Sequence, residues 1–359
     1  MRKLAVLTGG GDCPGLNAVL RAVVRTARNY GLEVVGILDG FKGAIEKEFK
    51  PLDLQDVSGI LPRGGTILGT SNRDNPFAYW TERAGQEVRE DRSDEVIQNL
   101  ADLGVDVLIV IGGDGSLNIA LELAQKGLKV IGVPKTIDND LLATDYTFGF
   151  QSAVETAQDA IDKLHTTAES HHRVMILEVM GRYAGWIALY SGMAGGADVI
   201  LIPEIPYRIE KVAEAINSRK EKGKKFSIVV VAEGAKPLGG EMVVQSILPD
   251  RTDPVKLGGI GAKVAKDLEG LIHLETRVTV LGHIQRGGSP NTYDRVLATR
   301  YGVAAVDAAL KGTFPTMVAL RGNEICEVPL ADAVNHIKQI KPDDPVLLAA
   351  RKLGLSFGD

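Results

Sequence analysis

Short continuous apolar runs recur along the chain at 4–7, 33–38, 107–111 and 130–133, and again at 174–179, 199–202, 227–232 and 277–281. All but the last, Arg277-Val278-Thr279-Val280-Leu281, lack alternation of apolar with polar residues and read as strands covered on both faces, the habit of parallel sheets. Between them the apolar period lengthens to that of a helix. Val19, Leu20, Val23 and Val24 share one face of a helix over 16–29 that Gly31 stops, and Leu117, Ala120, Leu121 and Ala124 share another. Further helices are expected near 94–103, 152–167 and 291–310, with a helical tail from Val328. Strand and helix in alternation predict an α/β fold with parallel sheets. The pattern runs through once, crosses near residue 150, and repeats. Residues 44–60 carry no clear signal, and 74–94, with Tyr79-Trp80, reads as a polar surface excursion.

Candidate chemistry collects where these strands end, which is where open α/β sheets bind ligands. The run at 130–133 leads into Pro134-Lys135-Thr136-Ile137-Asp138-Asn139-Asp140, two acids and an amide within one turn of chain. The run at 107–111 leads into Gly112-Gly113-Asp114-Gly115-Ser116 and a helix, with Ser116 the expected N-cap. Strand, glycine turn and helix start make an anion site from backbone N–H groups and the helix dipole. A carboxylate there repels phosphate unless a cation stands between them, so Asp114 is read as a magnesium ligand. The first strand ends in Thr8-Gly9-Gly10-Gly11-Asp12-Cys13-Pro14-Gly15, too dense in glycine for a simple turn, yet neither the dinucleotide nor the Walker pattern. Cys13 has no base nearby and reads as a small packing residue. Phe41, after the second strand, is a candidate to lie against a nucleotide base. Arg63 to Arg73, rich in glycine and hydroxyls, suits phosphate.

Bulk properties narrow the class. A chain of 359 residues exceeds one ordinary core, so two domains are expected. Its hydrophobic fraction of 45% and charged fraction of 24% are those of a soluble globular protein. A net charge of -5 argues against nucleic acid as a partner. No apolar run approaches the ~18 residues of a membrane span. Two cysteines, Cys13 and Cys326, make no disulfide framework, and the reducing cytoplasm is the expected compartment.

Taken with Met180-Gly181-Arg182 and Gly282-His283-Ile284-Gln285-Arg286-Gly287-Gly288-Ser289-Pro290, these motifs resemble those of the 6-phosphofructokinases. The resemblance runs from near residue 3 to about 310. It implies two Rossmann-like parallel-sheet domains with the active site in the cleft between them. Residues 1–149 with about 285–330 would bind the phosphoryl donor, and 150–284 with about 331–359 the sugar phosphate. The implied reaction moves a phosphoryl group from ATP to the C1 hydroxyl of fructose 6-phosphate. Asp138 would be the general base, Asp140 and Asp114 would work with Mg2+, and Thr136 would steady the transferring group. Gly10, Gly11, Phe41, Arg73, Gly112, Gly113, Gly115, Ser116 and Lys135 would hold the donor. Arg173, Met180, Gly181, Arg182, Glu233, Arg277, His283 and Arg286 would hold the sugar phosphate. Rival readings are a kinase for nicotinamide dinucleotide or lipid, against which the second-half motifs argue, and a non-catalytic nucleotide-binding paralogue.

Three further expectations follow from the resemblance. Pyrophosphate-dependent relatives usually carry aspartate at the position of Gly115 and lysine at that of Lys135, and ATP-dependent bacterial ones glycine at both. A glycine at 115 leaves room for the rest of ATP, so ATP is expected and pyrophosphate is the alternative. Arg173 and Arg277 open strands whose far ends carry Arg182 and His283, roughly 20 Å away at ~3.3 Å per residue. A homotetramer sharing each sugar site between subunits is therefore expected. Arg21, Arg25 and Glu204 match the family's effector site, but Gly59 and His165 replace an acid and an arginine, so little activation by ADP is expected.

Overall fold

The computed structural model describes residues 1–83, 86–247 and 255–359. The first half runs β1 (Lys3–Thr8), α1 (Leu16–Asn29), β2 (Glu33–Ile37), α2 (Phe41–Glu46) and β3 (Phe49–Leu52). A polar hairpin, β4 (Tyr79–Arg83) and β5 (Gln86–Glu90), precedes α3 (Ser93–Asp102). Then come β6 (Val107–Gly112), α4 (Asp114–Gln125), β7 (Val130–Pro134) and the long α5 (Phe150–His171). The second half holds β8 (Val174–Val179), α6 (Trp186–Ala194), β9 (Val199–Leu201), α7 (Ile209–Glu221) and β10 (Ser227–Ala232). It continues through β11 (Val244–Ile247), β12 (Val255–Leu257), α8 (Ile260–Leu268) and β13 (Thr276–Val280). The chain ends in α9 (Thr292–Lys311), β14 (Thr316–Arg321), β15 (Glu324–Pro329), α10 (Leu330–Ala333) and α11 (Pro345–Lys352).

Two parallel-rich sheets result, each with helices packed on it, and the chain folds as two Rossmann-like units. The seven-stranded sheet has the order β15-β14-β7-β6-β1-β2-β3, and the four-stranded sheet β13-β8-β10-β9. β6, β7, β8 and β10 are buried at every position, which is why their sequences are unbroken apolar runs. Strand order reverses between β1 and β6, and such a switch point opens a crevice at the strand ends. One apolar cluster passes between the sheets through α1, α5, α6 and α9, with Val19, Phe150, Ile187 and Tyr301 at its centre.

One expectation about the fold needs correction, and two segments left without assignment are resolved. The segment from Val328 is not one helical tail: Val328 lies in β15, antiparallel to β14, and only α10 and α11 follow. Residues 44–60 contain β3, an antiparallel edge strand on β2. The surface excursion is a hairpin, although Ala84 and Gly85 at its tip lie outside the described residues. Lys222, Lys224 and Lys225 are exposed just past α7, as a solvated helix end requires. Among the described residues no helix is long and apolar enough to cross a membrane.

Candidate active site

The floor of the crevice is glycine because its walls touch. Gly9 N–H donates to Ile111 O at 2.9 Å, tying the loop after β1 to the end of β6, and Lys135 N–H donates to Gly112 O at 3.0 Å. A side chain at Gly9 would lie 2.6 Å from Ser116 Oγ, and one at Gly11 2.8 Å from Arg286 Nη1. Gly10 has φ 77, and its N–H donates to Ser71 O at 3.0 Å, so the loop carrying Arg73 closes over this edge. Ser116 is not the N-cap of α4. Gly113 is, because Asp114 already opens the helix. Ser116 is buried in the first turn, where it fills the space the glycines leave.

Three carboxylates stand at this floor. Asp114 sits in the first turn of α4, its carboxyl pushed up by burial and held in part by the Asn335 N–H. Asp138 follows β7, and burial raises it too, opposed by the charges of Arg286, Arg182 and Lys135. Asp140 is raised to about 7 by burial and then by the charge of Asp138. One oxygen each of Asp114 and Asp138 is buried with no hydrogen-bond partner. Thr136 links the two loop acids, accepting from Asp138 N–H at 3.1 Å and donating to Asp140. Lys135 is 4% exposed, its Nζ donates to Gly11 O, and burial lowers it to about 8.

The second sheet supplies the facing wall. Gly181 and Arg182 follow β8, Glu233 follows β10, and His283 and Arg286 lie in the 3-10 turn Gly282–Arg286 after β13. Gly234 N–H donates to Gly181 O at 3.1 Å, and a side chain at Gly234 would collide with Arg182 O. Arg286 Nη1 donates to Asp12 O at 3.1 Å, so one arginine bridges the two halves across the crevice. Glu233 is raised to about 7, by burial first and then by the charge of Asp138. Gln285, fully buried, was not singled out by its sequence. Its Oε1 accepts from Met180 N–H at 3.2 Å and its Nε2 donates to Gly282 O at 3.0 Å, which pins the end of β8 to the turn carrying His283 and Arg286. Its place inside the Gly-His-Ile-Gln-Arg motif was the available signal.

Other expected residues fall elsewhere. Phe41 is 4% exposed and packs among Ile37, Ala44 and Tyr79 under α2, which corrects the expectation that its ring meets a base. Arg173 and Arg277 both pair with Glu275 at the opposite ends of β8 and β13, away from Arg182 and Arg286. Cys13 is buried, its thiol pushed up to about 12, and it is no nucleophile at neutral pH. Glu204 accepts from the N–H groups of Gly185 (3.0 Å) and Ile340 (3.0 Å), so its carboxylate is engaged within the fold. His165 bonds Gly195 O at 2.7 Å.

The donor set fits a hard divalent cation. Orphaned, desolvated carboxylate oxygens at Asp114 and Asp138, with Asp140 beside them, want positive charge. Among the described residues no three acidic, histidine or cysteine side chains converge closely enough to hold a metal alone. Such a site suits Mg2+, which takes one or two carboxylates and completes its shell from water and phosphate.

Comparison with known proteins agrees with this geometry. The family model described as phosphofructokinase matches residues 3–309. A Clostridium perfringens protein named ATP-dependent 6-phosphofructokinase 2 is 58% identical over 362 residues, covering 100% of this chain and 99% of its own. An Amycolatopsis methanolica protein named pyrophosphate–fructose 6-phosphate 1-phosphotransferase is 53% identical over 342 residues, covering 95% of this chain and 97% of its own. The crystal structure of Pichia pastoris phosphofructokinase in the T-state matches with TM-score 0.79 and 35% identity over 92% of this chain. This chain spans 35% of that longer one.

Proposed function

The chain belongs to the phosphofructokinase family, and from that premise we propose that it is an ATP-dependent 6-phosphofructokinase, making fructose 1,6-bisphosphate and ADP in glycolysis. The observation that carries the reading is the meeting of Asp138 with Arg182, Glu233 and Arg286 from the opposite sheet. Asp138 takes the proton of the C1 hydroxyl. Burial raises its pKa, the direction that makes a carboxylate a better proton acceptor, and the charges of Arg286 and Arg182 oppose that rise. Phosphoryl transfer leaves the protein mainly positioning and charge stabilisation. Arg182, Glu233, His283 and Arg286, with the backbone of Met180 and Gly181, hold the sugar phosphate. Gly10, Gly11, Arg73, Gly112, Gly113, Gly115, Ser116 and Lys135 hold the donor, and Thr136 orients the loop beneath the transferred group. Asp114 and Asp140 are the residues that would hold Mg2+, which, when bound, supplies charge neutralisation between donor oxygens.

The half built on the seven-stranded sheet, 1–149 with about 285–330, takes the donor, and 150–284 with about 331–359 takes the sugar. The enzyme works in the cytoplasm as a homotetramer. Arg173 and Arg277 serve a neighbouring subunit's sugar site, a role supported by their place at the far strand ends and by exposed Val280 (56%) and Ile284 (67%) near His283. Pyrophosphate is the second reading, favoured by the buried Lys135 at the donor loop and by the pyrophosphate-named relative. Glycine at 115 favours ATP, since a carboxylate there would obstruct the α-phosphate by bulk and charge.

The test is turnover of fructose 6-phosphate by the purified protein with Mg2+ and either ATP or pyrophosphate. ATP is expected to serve, and Gly115→Asp to reduce its use at least tenfold. Turnover with pyrophosphate alone reverses the donor assignment, and turnover with neither sinks the reading.

A further inference from the structure

A segment near the end of the chain, 335–340, lies across the catalytic loop. Asn335, with φ 72, turns its N–H to the Asp114 carboxylate. Ile337 bridges Leu141 in antiparallel fashion, and Lys338 N–H donates to Asp140 O at 2.8 Å. The Lys338 ammonium then donates to Asp145 O (2.7 Å), Thr144 O (3.0 Å) and Asn139 Oδ1 (3.3 Å). An ammonium has three donors and no acceptor, so every one is spent on this loop. On its other side the strap reaches the sugar half, with Trp186 Nε1 donating to Lys338 O (2.8 Å) and Gln339 Nε2 to Tyr183 O (3.0 Å), next to Arg182.

The loop needs such a hold. Asn139 has φ 50 and Ala143 φ 60, left-handed conformations that persist where the surroundings over-determine them. Asn139 stands between Asp138 and Asp140, so its strained turn is what aims the two acids. Thr147 supplies part of the restraint, its N–H donating to Asn139 Oδ1 (3.0 Å) and its hydroxyl to Thr136 O (2.7 Å). Lys338 adds to it, its ammonium donating to the same Asn139 Oδ1 and to the carbonyls of Thr144 and Asp145. We infer that Lys338 is a positioning residue for phosphoryl transfer: its ammonium holds the strained turn between Asp138 and Asp145 in the form that presents the base. The inference rests on the assignment of Asp138 given above.

Lys338→Met in the full-length protein keeps the length of the side chain and removes all three donors. Its kcat is expected to fall roughly 10- to 100-fold, the range for a small misplacement of a catalytic group, with KM for fructose 6-phosphate and donor within about twofold. Lys338→Arg should recover part of kcat, and Lys341→Met, an exposed neighbour, should match wild type. Hydrogen exchange should quicken at 138–147 and not in β1. A folded Lys338→Met with wild-type kcat overturns the inference, as does a loss expressed wholly in KM. Should that variant fail to fold, Lys338→Gln reads the same split. The exchange measurement needs no substrate, so unchanged protection at 138–147 defeats the inference even if the wild type proves inactive on fructose 6-phosphate, a result that would defeat the assignment of Asp138 separately.

Discussion

Asp138 and Glu233 show how burial sets the working state of single groups. Asp138→Asn removes the base and leaves the guanidinium groups in place, so turnover should fall roughly 10²–10⁴-fold with a much smaller change in KM. A variant within tenfold of wild-type kcat would assign the base elsewhere. Burial, and then the charge of Asp138, raise the Glu233 carboxyl to about 7 in the folded chain, against its ordinary 4.5. Below pH 4.5 folded and unfolded chains both hold the proton, and no penalty exists. Between those values the folded chain holds protons the unfolded chain has lost, so stability falls as pH rises, and the full penalty is present above about 7. Glu233→Gln should therefore stabilise the ligand-free protein by up to about 3 kcal/mol at pH 8 and by nothing at pH 4, read by thermal unfolding at both. Equal stabilisation at the two pH values would mean that charge is not the cause. The acids and arginines of the cleft were legible because each follows an apolar run within a motif. Lys338 was not, since its partners lie 193 to 199 residues away and nothing local marks it.

Among the elements, strands buried on both faces were readable and edges were not. β6, β7, β8 and β10 declare themselves by unbroken apolar sequence. β3 and β15 are half exposed, so their sequences mix polar residues and even proline, as edge strands do. The turn after β10 is set by an approach of backbone to backbone that a sequence registers only as a glycine. Gly234→Ala would force apart the 181–182 peptide and the end of β10. An expected cost of 1–3 kcal/mol in denaturant unfolding should accompany a fall of at least tenfold in kcat/KM for fructose 6-phosphate, with the donor KM little changed. An unaltered kcat/KM would show that the Arg182 loop tolerates the shift. Phe41 illustrates the opposite error, a large ring after a strand whose destination, core or ligand, no local pattern decides.

For the whole molecule, the position of Arg173 and Arg277 makes assembly part of the reading. Both meet Glu275 in the single chain, at the strand ends remote from Arg182. If each sugar site joins one subunit's Asp138 to a neighbour's Arg277, two inactive chains can repair each other. Randomly mixed tetramers of Asp138→Asn and Arg277→Ala should regain roughly a quarter of wild-type sites, because a closed symmetric assembly repeats one interface. Mixing that restores nothing, or a monomer active at full rate in sedimentation, would place the whole site within one chain.

The strap also orders events during synthesis. Lys338 follows Asn139 by 199 residues, which at ~5–20 residues per second is on the order of 10–40 s of translation. Through that interval a nascent chain can hold its first strands and its glycine floor, but the turn that aims the two acids has no anchor. β14, the neighbour of β7 in the sheet, arrives only shortly before it. A growing chain of this kind can form its glycine floor long before its acids are aimed, and catalytic competence waits for the strap.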